Sequence, residues 1–495
     1  MESGPPQIQY HNGKYPKQLY LLFFAEMWER FSFYGMKALL LTYMVTQLKF
    51  DEPKGYAILG SYAALVYTMP MLGGMMADRF LGYRRAVMFG GILMSIGHFI
   101  LAVPQDWSFF YGMAFIICGN GFFKPNISSL VGTLYSNNDP RKDSAFSLFY
   151  MGINIGAALG GLVCGYVGQR INWHYGFGLA GIFMIIGLIV FYLGKKTLKE
   201  KGLPPDMNLL KKPLLTFINT EGVIYGCVLL LIPVIVFLFH SYQLMDYIMF
   251  GLGGAAIVYV LYISFKLDVI ARHKLFAALA LIIFSTAFWA FYEQNSGSLN
   301  LFAIRNVDMN VMGFDLPPLS VNNFLPPAWV IILTFLFAWL WPWLNKKGKE
   351  PSTPMKFSFS FILMGIGFYI FYLACRANAD SGLIPLWAFA GGYIFIIGGE
   401  MCISPIGLSM ITKLSPVKVA SMMMGIWFFA TAIGQFFAGK IGSLMSVPAE
   451  LQNDSVASLP YYADIINKIA LGSVGAGILL WLTVPLLKKW MKDIH

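Results

Sequence analysis

Glu26-Met27-Trp28-Glu29-Arg30-Phe31-Ser32-Phe33-Tyr34-Gly35-Met36-Lys37 lies inside an apolar run that extends from Leu19 to Met44. Four charged side chains therefore sit where a membrane is expected. Each charge at a bilayer centre costs at least ~2.5 kcal/mol. Four in one span require a watery cavity and partners on other helices. At about 100° per residue, Glu26, Arg30 and Lys37 fall within about 40° of one another, with Glu29 about 60° to one side and Tyr34 about 80° to the other. One wall of this helix is polar and the opposite wall apolar, so the fold must supply what the polar wall meets.

The rest of the chain supports a membrane setting. Of 495 residues, 57% are hydrophobic and only 12% charged, whereas soluble domains carry about 25% charged residues. A net charge of +11 raises the question of nucleic acid, but no basic, aromatic-interleaved surface segment exists to bind it. The five cysteines are scattered through apolar segments without a CxxC, which argues against a disulfide frame or a zinc site. The first ~16 residues are polar and show no cleavage site, so no signal peptide is read.

Fourteen apolar segments approach the ~20 residues that a span requires. They are 18–47, 56–77, 86–103, 108–134, 144–168, 174–194, 222–240, 246–265, 275–302, 325–344, 357–376, 384–411, 416–438 and 463–487. With the N-terminus in the cytoplasm and strict alternation, about 25 of the 35 Lys and Arg fall inside and about 7 outside, as the positive-inside rule demands. Both termini are then cytoplasmic, and the bias accounts for the net charge. The basic loop 195–221 follows six spans; a nearly uncharged pair at 222–265 and six more spans come after it. This 6 + 2 + 6 order predicts an N-terminal six-helix bundle over 1–200, a linker and inserted hairpin over 201–270, and a C-terminal six-helix bundle over 271–495. The hairpin holds no buried ionisable residue and reads as structural.

The ionisable residues within spans are Glu26, Glu29, Arg30, Lys37, Lys124, Glu293 and Glu400. The three bases belong to the N-terminal half, whereas Glu293 and Glu400 belong to the C-terminal half. Ion pairs between halves can make and break as the halves rock; a static network that only fixes helix packing is the competing reading. A solute with an α-amino and an α-carboxyl group needs a cation at one end and an anion at the other. Lys37 and Lys124 can supply the first and Glu400 the second. Asn154, Tyr34 and Tyr67 can meet backbone amides, and Trp427 can line a side-chain pocket, although each also suits plain helix packing.

The run Gly74-Met75-Met76-Ala77-Asp78-Arg79-Phe80-Leu81-Gly82-Tyr83-Arg84-Arg85 resembles the loop signature of the major facilitator superfamily, with one extra residue before Gly82. The opening stretch resembles the E-x-x-E-R-F-x-Y-Y-G signature of the proton-dependent oligopeptide transporter family, with Phe33 in place of the first tyrosine. Phe149-Tyr150-Met151-Gly152-Ile153-Asn154, Phe123-Lys124-Pro125-Asn126, Phe291-Tyr292-Glu293-Gln294 and Gly399-Glu400 with Ser404-Pro405 also match that family. The resemblance implies an all-α polytopic membrane protein with a major facilitator fold of 12 core helices plus the inserted hairpin. It implies a proton-coupled symporter that imports di- and tripeptides by alternating access. Glu26, Glu29, Arg30 and Lys124 match its proton-coupling cluster and Glu293 its titrating acid. Lys37–Glu293 and Lys124–Glu400 would bridge the halves, with Glu400 receiving the peptide amine. The chain departs from the family pattern at Lys37, where an arginine is usual in bacterial members, and at Pro326-Pro327, where Asn-Pro is usual. Gly60 stands where animal relatives carry a histidine, which leaves proton coupling to carboxylates.

A proton-coupled transporter of another small solute, such as nitrate or an amino acid conjugate, is the alternative. Enzyme motifs are absent from the sequence: no H-E-x-x-H occurs, and Gly434 to Ile441 misses the Ser/Thr of a phosphate-binding loop. The expectation is a monomer in the cell inner membrane, with peptides, protons and the bilayer as partners, no nucleic acid, no metal and no cofactor beyond the coupling proton.

Overall fold

In hydrocarbon every backbone N–H and C=O must find its partner within the protein, which favours continuous helices. The structure, a computed structural model, describes residues 15–136, 139, 141–215, 218–416 and 419–491. Six long helices come first: α1 (Lys17–Thr46), α2 (Glu52–Met76), α3 (Gly82–Leu101), α4 (Asp106–Gly132), α5 (Lys142–Arg170) and α6 (Trp173–Gly194). The short α7 (Met207–Lys211) lies in the basic loop, and α8 (Thr220–His240) and α9 (Tyr242–Phe265) form the hairpin. The remainder comprises α10 (Val269–Tyr292), α11 (Ser298–Asn306), α12 (Pro318–Lys346), α13 (Thr353–Ala377), α14 (Leu386–Leu414), α15 (Ala420–Leu444) and α16 (Ser455–Met491).

Counting α10 and α11 as one broken span, this gives the fourteen expected crossings. Eleven helical stretches pass a test of length and apolarity, one of them running through α2 and α3 together. Among the fourteen crossings of the described residues, α1 and α4 fall outside it; α1 carries Glu26, Glu29, Arg30 and Lys37, and α4 carries Lys124.

Polar residues set several helix starts. Asn219 accepts from the Gly222 N–H at 2.8 Å, and Asp268 from the Ile270 and Ala271 N–H groups, each satisfying donors that a helix start leaves open. The seventh span departs from the continuous 275–302 segment expected. It breaks after Tyr292 into a tight turn, Glu293–Ser296, and restarts at Ser298 beyond Gly297. Gly297, at φ −113° and ψ −104°, joins the turn to the restarted helix. The Gln294 side chain donates to the Ala290 and Ala438 carbonyls at 3.0 Å each, replacing helical hydrogen bonds lost at the break.

The halves are internally well packed: α1 lies against α5 and α6, α3 against α4, and α13 against α14 and α16. Between halves the principal crossings are α2 with α15 and α5 with α12. Both are tight at the end that carries the α1–α2 loop, the closed end. A Cβ on Gly60 would lie 3.2 Å from the Gly439 Cα, and one on Gly439 would lie 2.7 Å from the Tyr56 carbonyl oxygen. On the other side, Ser320 Oγ donates to the Leu162 carbonyl at 2.9 Å and Gln169 accepts from the Leu319 N–H at 3.2 Å. A Cβ on Gly161 would sit 2.9 Å from the Asn323 carbonyl oxygen. Farther along, α5 and α12 diverge around a cavity.

The hairpin is shared between halves. The α8 helix packs on α4 and reaches α3, where Tyr225 stacks on Phe89 (4.0 Å between centroids) and Glu221 pairs with Arg85 at 2.6 Å. The α9 helix packs on α10 and α15, where Asp246 pairs with Lys440 at 2.7 Å.

Candidate functional site

The cavity between the halves, about 260 Å³, is lined from the N-terminal half by Arg30, Tyr34, Lys37, Tyr67, Lys124 and Asn154 and from the C-terminal half by Glu293 and Glu400, among others. The polar wall of α1 thus faces the two acids that the sequence offered as counterparts. Two close glycine contacts set α1 in place: Cβ atoms on Gly156 and Gly160 of α5 would lie 2.2 and 2.3 Å from the Met27 and Phe31 carbonyls. Helices approach this closely only where side chains are absent.

Three bases and four acids arrange themselves unequally. Arg30 Nε lies 3.1 Å from Glu26 Oε1 and also binds Glu29 Oε2. Both carboxylates sit behind the guanidinium, fully buried and outside the cavity lining. Lys37 Nζ lies 2.9 Å from Glu293 Oε2, which also accepts from Ser296 Oγ at 3.0 Å. The break after Tyr292 places this carboxylate across from α1. The Lys37–Glu293 bridge expected from the sequence is therefore formed.

The Lys124–Glu400 bridge is not. The Lys124 ammonium lies 4.8 Å from the centre of the Tyr67 ring, a cation–π contact. The Glu400 carboxylate instead accepts from the Tyr292 hydroxyl. Neither residue makes an ion pair among the described residues. The cavity so presents one unpaired cation and one unpaired anion, from opposite halves. Asn154 Nδ2 donates to the Tyr150 carbonyl of its own helix at 2.9 Å. Trp427 stands apart from the cavity lining: it is buried against Gly407, where a Cβ would meet its ring at 2.3 Å.

The α12 wall carries Pro326 and Pro327 where the family pattern has Asn-Pro, and both prolines line the cavity. The upstream asparagines do not point free amides at it. Asn322 donates to Asn300 Oδ1 at 2.6 Å and accepts from the Tyr393 hydroxyl at 2.7 Å, and Asn323 donates to the same Asn300 oxygen at 2.8 Å.

A second ion pair between halves went unnoticed in the sequence. Glu52, at the start of α2, is 2% exposed and lies 2.6 Å from Arg305 at the end of α11. Arg305 also donates to the Tyr462 hydroxyl at 2.7 Å, and the Val447 N–H donates to Glu52 at 2.9 Å. Glu52 thus ties α2 directly to two segments of the other half at the closed end, and through Arg305 to a third, α16. Removing one partner of a buried pair costs about 3–5 kcal/mol because a charge is left unpaired. In Glu52→Gln we expect the closed end to part in a large fraction of molecules. Double electron–electron resonance between labels at the exposed Asp51 and Glu450 would read this as a longer distance, and an unchanged distribution would count against the role.

Comparison with known proteins is consistent along the chain. Residues 84–457 match the model of the POT family. An uncharacterised transporter, YclF, of Bacillus subtilis is 38% identical over 491 residues, covering 97% of this chain and 96% of its own. Dipeptide and tripeptide permease B of Xenorhabdus bovienii is 32% identical over 481 residues, covering 97% of each. Among solved structures, a mutant of the peptide transporter POT in complex with alafosfalin is 33% identical, with TM-score 0.83, and covers 99% of this chain and 98% of its own. Tetrameric PepTSo2 is 30% identical, with TM-score 0.82, and covers 96% and 99%.

Proposed function

The chain belongs to the POT family, and we propose that it is a proton-coupled symporter that imports di- and tripeptides by alternating access. It is a multi-pass membrane transporter, not an enzyme. The observation that carries the peptide reading is the pair of unmatched charges in the cavity, Lys124 and Glu400. A peptide zwitterion supplies the missing partner of each. A lone anion such as nitrate would leave Glu400 both buried and opposed. Buried charges are stable only when paired, so this cavity favours a solute with both signs.

The proposed cycle follows from which contacts join the halves. The closed end is taken as the outer side, in agreement with the excess of Lys and Arg at the opposite loops. Opening it requires the Lys37–Glu293 and Glu52–Arg305 pairs to part. A proton arriving from outside forms an O–H bond on Glu293 and removes the charge that holds Lys37. The peptide carboxylate then engages Lys37 and Lys124, and its ammonium engages Glu400. Rocking closes the outer side, and lower proton activity inside lets Glu293 lose its proton and recapture Lys37, which displaces the carboxylate. Glu26, Glu29 and Arg30 form a second proton site behind the cavity, next to Lys124.

We assign the N-terminal bundle to 1–200, the linker and hairpin to 201–270 and the C-terminal bundle to 271–495. We also place both termini in the cytoplasm and the protein in the inner membrane. The cavity lies between the two halves of a single chain, so one copy is enough to form it, and we propose a monomer as the transporting unit. The direct test is competition in proteoliposomes under an imposed inward proton gradient. Uptake of a labelled dipeptide should be displaced by di- and tripeptides, hardly by tetrapeptides, and should cease when the gradient is collapsed. Uptake that survives collapse, or that peptides fail to displace, would sink the assignment.

A further inference from the structure

Asn120 of α4 is fully buried, yet neither its Nδ2 nor its Oδ1 makes a hydrogen bond. Buried polar side chains almost always have partners. Other buried helical asparagines spend their amide either on the carbonyl four residues back, as Asn126, Asn154 and Asn300 do, or on another segment, as Asn306 and Asn322 do. Asn120 leaves both options unused. The Glu29 carboxylate, whose Oε1 is likewise buried without a partner, is the ionisable group its carboxamide bears on, and no hydrogen bond joins the two.

The surroundings share this incompleteness. Glu29 has one oxygen held by Arg30 Nε and the other, Oε1, without a partner; Glu26 likewise has Oε1 by Arg30 and a free Oε2. Arg30 Nη2 and the Tyr62 hydroxyl are also buried and unpartnered, and Tyr62, from α2, lies in the field of Glu29 and Arg30. Lys124, one turn along α4, acts on both carboxylates. From α5 comes Gly156, against the Met27 carbonyl and Arg30 Cβ, and from α6 comes Met184, whose sulfur accepts from Ser32 at 3.4 Å. The charged and titratable neighbours are thus Glu26, Arg30, Lys124, Tyr62 and Tyr34.

We propose that Asn120 is a positioning residue of the second proton site, a swivelling partner that holds Glu29 in both of its protonation states. This rests on the reading of Glu29 as a proton carrier. A carboxamide carries donors on one side and an acceptor on the other. Ionised Glu29 needs a donor at Oε1, and a small turn of the uncommitted Asn120 carboxamide would bring Nδ2 to it. When hydronium delivers a proton to Oε1, an O–H bond forms, water is left behind, and the new donor needs an acceptor. A half-turn of the carboxamide brings Oδ1 to it. Because neither Asn120 atom is committed elsewhere, the half-turn breaks no other hydrogen bond. Arg30 keeps Oε2 throughout, so the proton has one defined place to land.

The test compares Asn120→Thr with Asn120→Val, which share a shape and differ in a hydroxyl that can donate and accept. Each is reconstituted and read for proton-driven uptake against pH and for counterflow of peptide, which moves no net proton. The expected result is a midpoint pH displaced by about one unit or more in Asn120→Val relative to Asn120→Thr, with counterflow agreeing within about twofold. Superimposable pH profiles, or parallel loss of uptake and counterflow, would overturn the role of Asn120. Glu29→Gln tests the underlying reading separately: undiminished proton-driven uptake there removes the proton site itself. On the unaltered chain, infrared difference spectra with the Glu29 band assigned through Glu29→Gln give a second reading. A hydrogen-bonded carboxylic acid supports the swivel, and a free one overturns it.

Discussion

Glu293→Gln is expected to abolish uphill, proton-driven uptake, by about a hundredfold or more, while peptide exchange persists at a substantial fraction of its original rate. The substitution keeps the side chain's size, and its amide can still meet Ser296. It removes the charge that faces Lys37 at 2.9 Å. The variant is locked, at every pH, into what the native protein becomes only when protonated. A hundredfold loss corresponds to ~2.7 kcal/mol, comparable to the ~3–5 kcal/mol involved when one partner of a buried pair is removed. The pH dependence of uptake should flatten, because a glutamine has no proton to gain or lose. Parallel measurement of gradient-driven uptake and of counterflow separates coupling from binding. Full proton-driven uptake in Glu293→Gln would end the proposed role.

The second large effect belongs to Glu400→Gln. Here binding fails rather than coupling. Glu400 is the unpaired anion of the cavity and is held toward it by the Tyr292 hydroxyl. Hydrogen bonds to charged groups contribute about 1.5–3 kcal/mol, so affinity for a dipeptide should fall about 10- to 150-fold. The decisive readout is selectivity. The native protein should prefer a dipeptide strongly over its analogue lacking the α-amine, and the variant should treat the two almost alike. Competition curves for the pair, measured in both proteins, decide the matter. An undiminished preference in Glu400→Gln would mean that the amine is received elsewhere.

Much of this site was legible because membrane burial makes charges conspicuous. Lys37 and Glu293 had to face partners, and the structure joins them. The fourteen crossings and their order followed from apolar length and the placement of Lys and Arg. What escaped reading had different causes. Glu52 and Arg305 lie at span ends, where a sequence count assigns them to loops, yet close packing of α2 against the other half buries them. Tyr292 claimed Glu400, and Tyr67 received Lys124, because aromatic partners carry no charge to count. Trp427 had nothing but composition to place it at the cavity, and its packing against Gly407 is a tertiary fact. The break after Tyr292 was masked by an apolar run that continues across it. Asn120 looked like any other polar residue in a span; what distinguishes it is a buried carboxamide with no hydrogen-bond partner at either atom.

The glycine crossings Gly60–Gly439 and Gly161–Asn323 give the closed end a particular force law. Ion pairs act over many ångströms and weaken gradually. Backbone-to-backbone contact rests on dispersion, which has lost a quarter to a half of its well depth within about 0.5–1 Å. A closure built this way resists until it starts to give, and then offers almost no restoring pull. Partly opened states gain nothing from it, so the two halves should be found together or apart, with little population between. The sharpness of the switch would then come from the residues that have no side chain at all.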